Sequence, residues 1–236
     1  MAHMPASSAG FAPPQPIVFL DIDGVLLPFG DGVANAPETT LFPDHCLAAL
    51  SRLLAESGAC LVLSSTWRAH PQYMQDVIDD FHRYAAEHGG PLGDVNGFAR
   101  TTCPMTYSAR QLEIHAWLAS EEHVGAWVAL DDEPLLEGKA CRKHRAQFEG
   151  HVVQTMSHEG LTEEQAIQAI ALLAAQHELL RGSSRVRRGG GRGGGRGGGR
   201  GGGRGGGSDS GDSGDRGGAP AANATSPLGK RAVRES

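Results

Sequence analysis

Four short apolar runs predict the strands of a buried sheet. They are Pro16–Leu20, Ala59–Leu63, Ala126–Leu130 and a weaker one at Gly150–Thr155. Apolar runs of this length without polar alternation are typical of parallel strands that are covered on both faces.

Between and after these runs, apolar residues recur at helical spacing. The pattern predicts helices at His45–Ser57, Pro71–His88, Ser108–Ser120 and Thr162–Leu180, with Ser108 as an N-cap and a capping-box-like "TEEQ" opening the last helix. Strands that alternate with amphipathic helices predict an α/β fold, a three-layer sandwich around a mainly parallel, Rossmann-like sheet.

Three of the four predicted strands run directly into a polar residue. Asp21, Ser64 and Asp131 each follow an apolar run. Ligands bind at the carboxyl ends of the strands in open α/β sheets. The pattern therefore predicts a functional site where these side chains meet.

Glycine content and charge divide the chain into three parts. Residues 1–15 read as a flexible arm and 16–181 as one foldable domain, while 182–236 form a Gly/Arg-rich tail with GGGR repeats that we expect to be disordered. Of the 21 Lys+Arg and 27 Asp+Glu, residues 1–180 hold 9 and 23, a net of −14, and residues 181–236 hold 12 and 4, a net of +8. The tail is therefore the candidate for contact with RNA, and a linker without a partner is the alternative.

Cysteine spacing and hydropathy favour a reducing compartment. None of the four cysteines forms a CxxC pair, which is typical of thiols that stay reduced. No apolar run is long enough to span a membrane, and the N-terminus lacks the pattern of a signal peptide. A cytoplasmic or nuclear location is expected.

The segment "FLDIDGVL" carries the most specific chemistry. Asp21 and Asp23 point the same way on an extended strand, and Gly24 allows the chain to turn directly afterwards. Two carboxylates this close shift their pKa values apart, which suits one ionised nucleophile and one proton-carrying partner. A calcium loop is excluded because Gly32 occupies its twelfth position, and the DxD metal motif of a nucleotide-sugar transferase is a minor alternative.

Hydroxyl and carboxylate groups at the other strand ends complete the predicted site. "LVLSSTWR" offers Ser64 as a donor to a phosphate oxygen, with Ser65 as the alternative. Arg68 is close by, although an Arg near a helix start is usually at the surface. In "LDDEP", Asp131 and Asp132 follow a buried strand, where adjacent acids are costly unless a cation such as Mg²⁺ sits beside them.

The ordered set of these motifs resembles the haloacid dehalogenase-like (HAD) superfamily. "FLDIDGVL", "LSSTWR", "R..EI..WL" before "ALDDE", and the closing "GLT…AI.LL" look most like the HAD domain of Swiss-army-knife RNA-repair proteins. The resemblance covers roughly Ile17 to Leu180 and implies a Mg²⁺-dependent phosphatase.

The resemblance also implies roles for individual residues. Asp21 would become an aspartyl-phosphate, and Asp23 would be the general acid/base. Asp21, the backbone carbonyl of Asp23, and the pair Asp131 and Asp132 would hold Mg²⁺. Ser64 would bind phosphate, and Arg110 would be the cation that steadies the nucleophile, with Arg68 as its rival. Ser65, Arg68 and Gly24 are the predicted substrate contacts.

The spacing between motifs predicts little or no cap domain. The stretch from Leu26 to Pro43 is too short for one, and Arg68 to Arg110 holds one helix and a Gly/Pro-rich loop. An open site suits a polymer end, so a nucleic-acid or nucleotide phosphate is the favoured substrate. A catalytically silent RNA-bound adaptor and a small-metabolite phosphatase are the alternatives.

Overall fold

The computed structural model describes residues 14–30, 40–98, 101–102, 109–122 and 124–189. The expected N-cap at Ser108, the N-terminal arm before Pro14 and the GGGR repeats lie outside these residues. The described residues fall within one compact unit.

Within the described residues, four parallel strands form the central sheet in the order β2-β1-β3-β4. They are β1 (Ile17–Leu20), β2 (Cys60–Leu63), β3 (Trp127–Asp131) and β4 (Val152–Gln154). Each corresponds to a predicted apolar run, and all the pairings between neighbours are parallel. The predicted α/β Rossmann-like fold is confirmed.

Six helices and two 3-10 turns in the described part of the chain surround the sheet. The helices are α1 (Asp44–Ser57), α2 (Pro71–His88), α3 (Arg110–Ser120), α4 (Gly138–Cys141), α5 (Arg145–Phe148) and α6 (Glu163–Gly189), and the 3-10 turns are Thr66–Ala69 and Pro91–Asp94. Helix α6 continues to Gly189, beyond residue 181, where the sequence predicted the domain to end.

Side chains that alternate along the strands build one core on each face of the sheet. On one face, Val18, Leu20 and Leu130 pack with residues of α1, α2 and α6. On the other, Phe19 packs edge-on against Trp117 of α3, with ring centroids 5.1 Å apart. These two apolar layers produce the predicted three-layer arrangement.

Helix α2 belongs to the body of the domain. Val77, Ile78 and Phe81 lie in the same core cluster as β1 and α1. The segment between β2 and α3, as far as it is described, therefore does not form a separate cap over the sheet. None of the described helices combines the length and the apolar character needed to cross a bilayer.

Strand order places the crevice of the sheet between β1 and β3. The chain leaves β1 through α1 to β2 on one side, and it leaves β3 through α4 and α5 to β4 on the other. Connections that diverge in this way open a cleft at the carboxyl ends of the two central strands.

Candidate active site

Asp21 and Asp131 lie side by side at the cleft between β1 and β3. The N–H of Asp21 donates to the carbonyl of Leu130 at 3.1 Å, which continues the β1–β3 ladder by one residue. Asp131 is the last residue of β3 and is fully buried, while Asp21 is 4% exposed. The sheet register therefore brings together two carboxylates that are 110 positions apart in the chain.

Asp132 joins these two residues to form a cluster of three carboxylates. Asp21, Asp131 and Asp132 each offer an oxygen, and the three oxygens lie within 4.8 Å of one another. Oδ1 of Asp131 accepts the N–H of Glu133 at 2.9 Å, whereas its buried Oδ2 has no hydrogen-bond partner among the described residues. A hard cation such as Mg²⁺ fits this set, because it prefers oxygen ligands and would satisfy the buried oxygen.

Burial dominates the electrostatics of the two inner carboxylates. Loss of water raises the pKa of Asp131 well above its usual value, and the charge of Asp21 adds to this rise. Burial also raises the pKa of Asp21, against the opposing effects of Arg110 and of a hydrogen bond from Ser65. In the absence of a metal, the site therefore disfavours full ionisation of both acids.

Gly24 allows Asp132 to approach the turn after β1. Its φ of +72° is in the left-handed region, and a Cβ placed there would lie 2.5 Å from the Cγ of Asp132. Its carbonyl accepts the hydroxyl of Thr155 at 2.8 Å, which ties the turn to the end of β4. The glycine predicted as a substrate contact thus lies against a carboxylate of the acidic cluster.

Arg110 is the cation that contacts the candidate nucleophile. From the first turn of α3, its Nη1 lies 3.3 Å from Oδ1 of Asp21 in a buried pair. Burial works against charge on the Arg110 guanidinium, but the nearby carboxylates of Asp21 and Asp131 outweigh it and raise its pKa.

Arg68 has a different set of contacts and is not at the surface as its sequence context indicated. Its side chain is 4% exposed and makes a 2.7 Å ion pair with Glu113. It also donates to the backbone carbonyls of Ser64 and Ser65. Because Glu113 lies 3.9 Å from Arg110 as well, this acid bridges the two arginines.

Both serines after β2 are buried, but their hydroxyls differ. Oγ of Ser64 has no hydrogen-bond partner among the described residues. Oγ of Ser65 accepts the N–H of Trp67 at 3.4 Å. The side chain of Ser65 also hydrogen-bonds to Asp21, and this bond lowers the pKa of Asp21. Among the described residues, Ser64 is therefore the serine whose hydroxyl donates to no acceptor.

Asp23 is held by Trp67, a residue to which no sequence motif assigned a role. Nε1 of Trp67 donates to Oδ2 of Asp23 at 3.0 Å. The Asp23 carboxylate is partly exposed and is not one of the three clustered carboxylates. Burial and the charge of Asp21 raise its pKa, while the bond from Trp67 lowers it.

The sequence carries only weak indications that Trp67 and Glu113 contact the site residues. Trp67 stands three residues after Ser64, in a 3-10 turn that no hydrophobic period predicts. Glu113 is three residues after Arg110 on a predicted helix, a spacing that makes the two side chains neighbours.

A groove of about 710 Å³ lies elsewhere on the molecule. Ile17 and Cys60, the first residues of β1 and β2, contribute to its lining. Because it opens at the amino ends of these strands, it is separate from the carboxylates at their other ends.

Comparison with known proteins identifies one family. The family model described as the HAD domain in Swiss Army Knife RNA repair proteins matches residues 17–166, more than half of the chain. The matched region contains all the carboxylates, serines and arginines of the site. Neither the curated proteins nor the solved structures yielded a match.

Proposed function

This chain belongs to the family of the HAD domain in Swiss Army Knife RNA repair proteins, and from that premise we propose that it is a Mg²⁺-dependent phosphatase acting through an aspartyl-phosphate on Asp21. The family supports a phosphatase-type role in general. The observation that carries the specific mechanism is the buried Asp21 carboxylate, with Arg110 at 3.3 Å on one oxygen and the Asp131 and Asp132 carboxylates beside it.

Asp21 is the nucleophile in this proposal. One of its carboxylate oxygens attacks phosphorus, an O–P bond forms, and the bond to the leaving oxygen breaks. The contact with Arg110 orients the carboxylate and favours its ionised form against the cost of burial. The raised pKa of Arg110 keeps that guanidinium charged throughout.

Asp23 is the general acid and then the general base in this proposal. It delivers a proton to the leaving alkoxide in the first step and takes one from the water that cleaves the aspartyl-phosphate in the second. Its partial exposure and raised pKa suit a group that carries a proton at the start of the reaction. Because the hydrogen bond from Trp67 occupies Oδ2, Oδ1 is the oxygen that exchanges the proton in this proposal.

The remaining residues bind the phosphate and the cation. The unused hydroxyl of Ser64 donates to a phosphate oxygen, which gives this buried donor a partner. Asp21, Asp131, Asp132 and the backbone carbonyl of Asp23 would hold Mg²⁺. HAD domains typically use this ion, which supplies positive charge to neutralise phosphate oxygens and relieves the repulsion within the cluster.

The favoured substrate is a phosphomonoester at a nucleic-acid or nucleotide end. The RNA-repair context of the family supports this class. Helix α2 packs into the core instead of forming a separate cap, and a site without a folded cap admits a polymer end.

The division of roles between Asp21 and Asp23 predicts different leaving-group dependences. Asp21→Asn should abolish turnover of every phosphomonoester. Asp23→Asn should slow an alkyl phosphate by about 10²–10⁴-fold, the usual contribution of general acid catalysis. The formation of the intermediate from nitrophenyl phosphate should slow far less, because nitrophenolate leaves without a proton.

Burst kinetics with both substrates measure this difference. For Asp23→Asn we expect a burst of nitrophenol followed by slow turnover, because the second step still needs a base. Equal slowing of the first step for both substrates would remove Asp23 from the acid role. Normal turnover by Asp21→Asn would refute the mechanism altogether.

A further inference from the structure

A row of aromatic rings extends from Asp23 towards solvent. Trp67, which donates to Asp23, lies 5.3 Å from Tyr73 between ring centroids, and Tyr73 lies 4.9 Å from His70. Tyr73 is 44% exposed, and His70 is exposed as well. We call Trp67, His70 and Tyr73 the ring platform.

Trp67, the inner residue of the ring platform, is held in place by buried neighbours. Trp67 packs against the fully buried Phe42 at 6.3 Å, and its backbone N–H donates to Oγ of Ser65. Arg68 fixes the same turn by donating to two carbonyls that precede it. The inner end of the ring platform is therefore set by the elements that also set the active-site serines.

The outer end of the ring platform is the exposed Tyr73, whose neighbouring rings meet it at an angle. Trp67 and His70 are tilted against Tyr73 by 52° and 50°. Among the described residues no ring is stacked flat on Tyr73. An exposed aromatic face without a parallel partner can accept a planar group such as a nucleobase.

We propose that the ring platform binds the base of the nucleotide whose phosphate enters the active site, with Tyr73 as the stacking residue. This inference rests on the proposed phosphatase function and specifies its substrate class. The sugar separates the phosphate of a nucleotide from its base. When the phosphate lies at Asp21 and Asp23, the base therefore lies near the ring platform, which begins at Trp67, the residue that donates a hydrogen bond to Asp23.

The charge distribution favours recognition by stacking over recognition by a basic groove. Residues 1–180 carry a net charge of −14 by their 9 basic and 23 acidic residues. Arg68 and Arg110, next to the carboxylates, are buried and already paired with Glu113 and Asp21. Among the described residues, the rings of Trp67 and Tyr73 are thus the contacts that this part of the surface offers to a nucleic-acid end.

The test compares a nucleoside monophosphate with glycerol phosphate, which has no ring. The ratio of their kcat/KM values should fall about tenfold in Tyr73→Ala, within the range that loss of one base–aromatic contact produces. Tyr73→Leu keeps an apolar side chain against Trp67 but offers no flat ring, so it should lower the ratio similarly. Tyr73→Phe should keep the wild-type ratio.

A matched control removes an exposed apolar side chain elsewhere. Ile167 on α6 is 46% exposed, and Ile167→Ala should leave the ratio unchanged. A wild-type ratio in both Tyr73→Ala and Tyr73→Leu would overturn the proposal. Repeating the assay on a short oligonucleotide with a terminal phosphate distinguishes the source: a larger Tyr73 effect on the oligonucleotide indicates a polymer end, and a larger effect on the nucleoside monophosphate indicates a free nucleotide.

Binding separates failure of this inference from failure of the proposed function. Trp67 is the partly exposed tryptophan, whereas Trp117 and Trp127 are buried, so a nucleoside monophosphate should quench the intrinsic fluorescence. If the protein hydrolyses no phosphate ester, an affinity from quenching that is about tenfold lower in Tyr73→Ala than in wild type would support base binding by the ring platform without phosphatase activity. No quenching in the wild-type protein would overturn the ring platform, even if phosphatase activity is present.

Discussion

Single residues in the candidate site carry an electrostatic cost that a cation would remove. Asp131 is fully buried, its pKa is raised well above the usual range by burial and by Asp21, and its Oδ2 lacks a partner among the described residues. A buried carboxylate with these properties destabilises the metal-free protein at neutral pH.

Asp131→Asn should therefore stabilise the metal-free protein. We expect the Tm in EDTA at pH 7 to rise by about 3 °C, the shift that corresponds to about 1 kcal/mol in a domain of this size. Mg²⁺ should raise the Tm of the wild-type protein and leave that of the variant unchanged, because the variant lacks a charged ligand. Thermal melts with and without Mg²⁺ measure both effects.

The pH dependence of the same melts follows from the raised pKa. Because the folded protein holds the Asp131 proton more tightly than the unfolded chain does, this contribution to stability is fully present below the usual pKa of 3.8 and is lost as the pH rises through the folded-state value.

The exposed Asp94 provides the matched control, and Asp94→Asn should change neither the Tm nor its response to Mg²⁺. An equal Mg²⁺ response in wild type and Asp131→Asn would refute the metal assignment.

Between elements, α3 and the turn after β2 are joined by a buried charge network. Glu113 on α3 pairs with Arg68 at 2.7 Å and lies 3.9 Å from Arg110, and all three side chains are at most 9% exposed. Removing the acid from such a network leaves buried positive charge without compensation.

Glu113→Gln should cost about 3 kcal/mol in the free energy of unfolding, the scale for breaking a buried ion pair. The same substitution at Glu56, which pairs with Arg52 across exposed side chains on α1, should cost far less, because solvent screens that pair. Urea denaturation of the two variants provides the comparison. Equal losses would mean that the network does not support α3 and Arg110.

The strands and the acidic residues could be predicted because each depends on local pattern. An apolar run that ends at Asp21 or Asp131 specifies both a buried strand and the position of its last side chain. Helices α1 and α2 likewise followed from their apolar periods and start signals, and α1 begins one residue earlier than predicted.

The contacts around the carboxylates could not be predicted because they depend on tertiary packing. Trp67 is 44 positions from the Asp23 that it contacts, and Arg68 is 45 positions from Glu113. Arg68 is likewise buried because it pairs with Glu113 on α3. Nothing in the sequence next to Arg68 indicates this contact. The continuation of α6 to Gly189 passes through Gly182, a residue that usually favours a helix end.

Across the whole chain, charge is divided between the folded domain and the tail. Residues 181–236 carry 12 basic and 4 acidic residues, a net of +8. We propose that the tail, of which residues 190–236 lie outside the described residues, binds RNA through its arginines without selecting sequence. Arginines on a chain of glycines can neutralise phosphates without a fixed geometry, and each released counterion favours binding.

Truncation after Gly189 keeps α6 intact and tests the tail. RNA affinity should fall on truncation, and the affinity of the full chain should drop steeply between low and moderate salt. The kcat on nitrophenyl phosphate should not change, because every carboxylate of the site precedes residue 133. RNA binding measured at two salt concentrations for both proteins decides the matter, and equal affinities would reduce the tail to a linker.

The central claim, that Asp21 forms a covalent bond to phosphorus, can be tested by trapping. Asp23→Asn should accumulate the intermediate from nitrophenyl phosphate and Mg²⁺, because its second step lacks a base. Acid quenching followed by hydroxylamine converts an acyl phosphate to a hydroxamate, which peptide mass spectrometry locates. We predict a hydroxamate at Asp21 that is absent from Asp21→Asn and from protein without substrate. A hydroxamate at another carboxylate, or none at any carboxylate during a measured burst of nitrophenol, would contradict the mechanism.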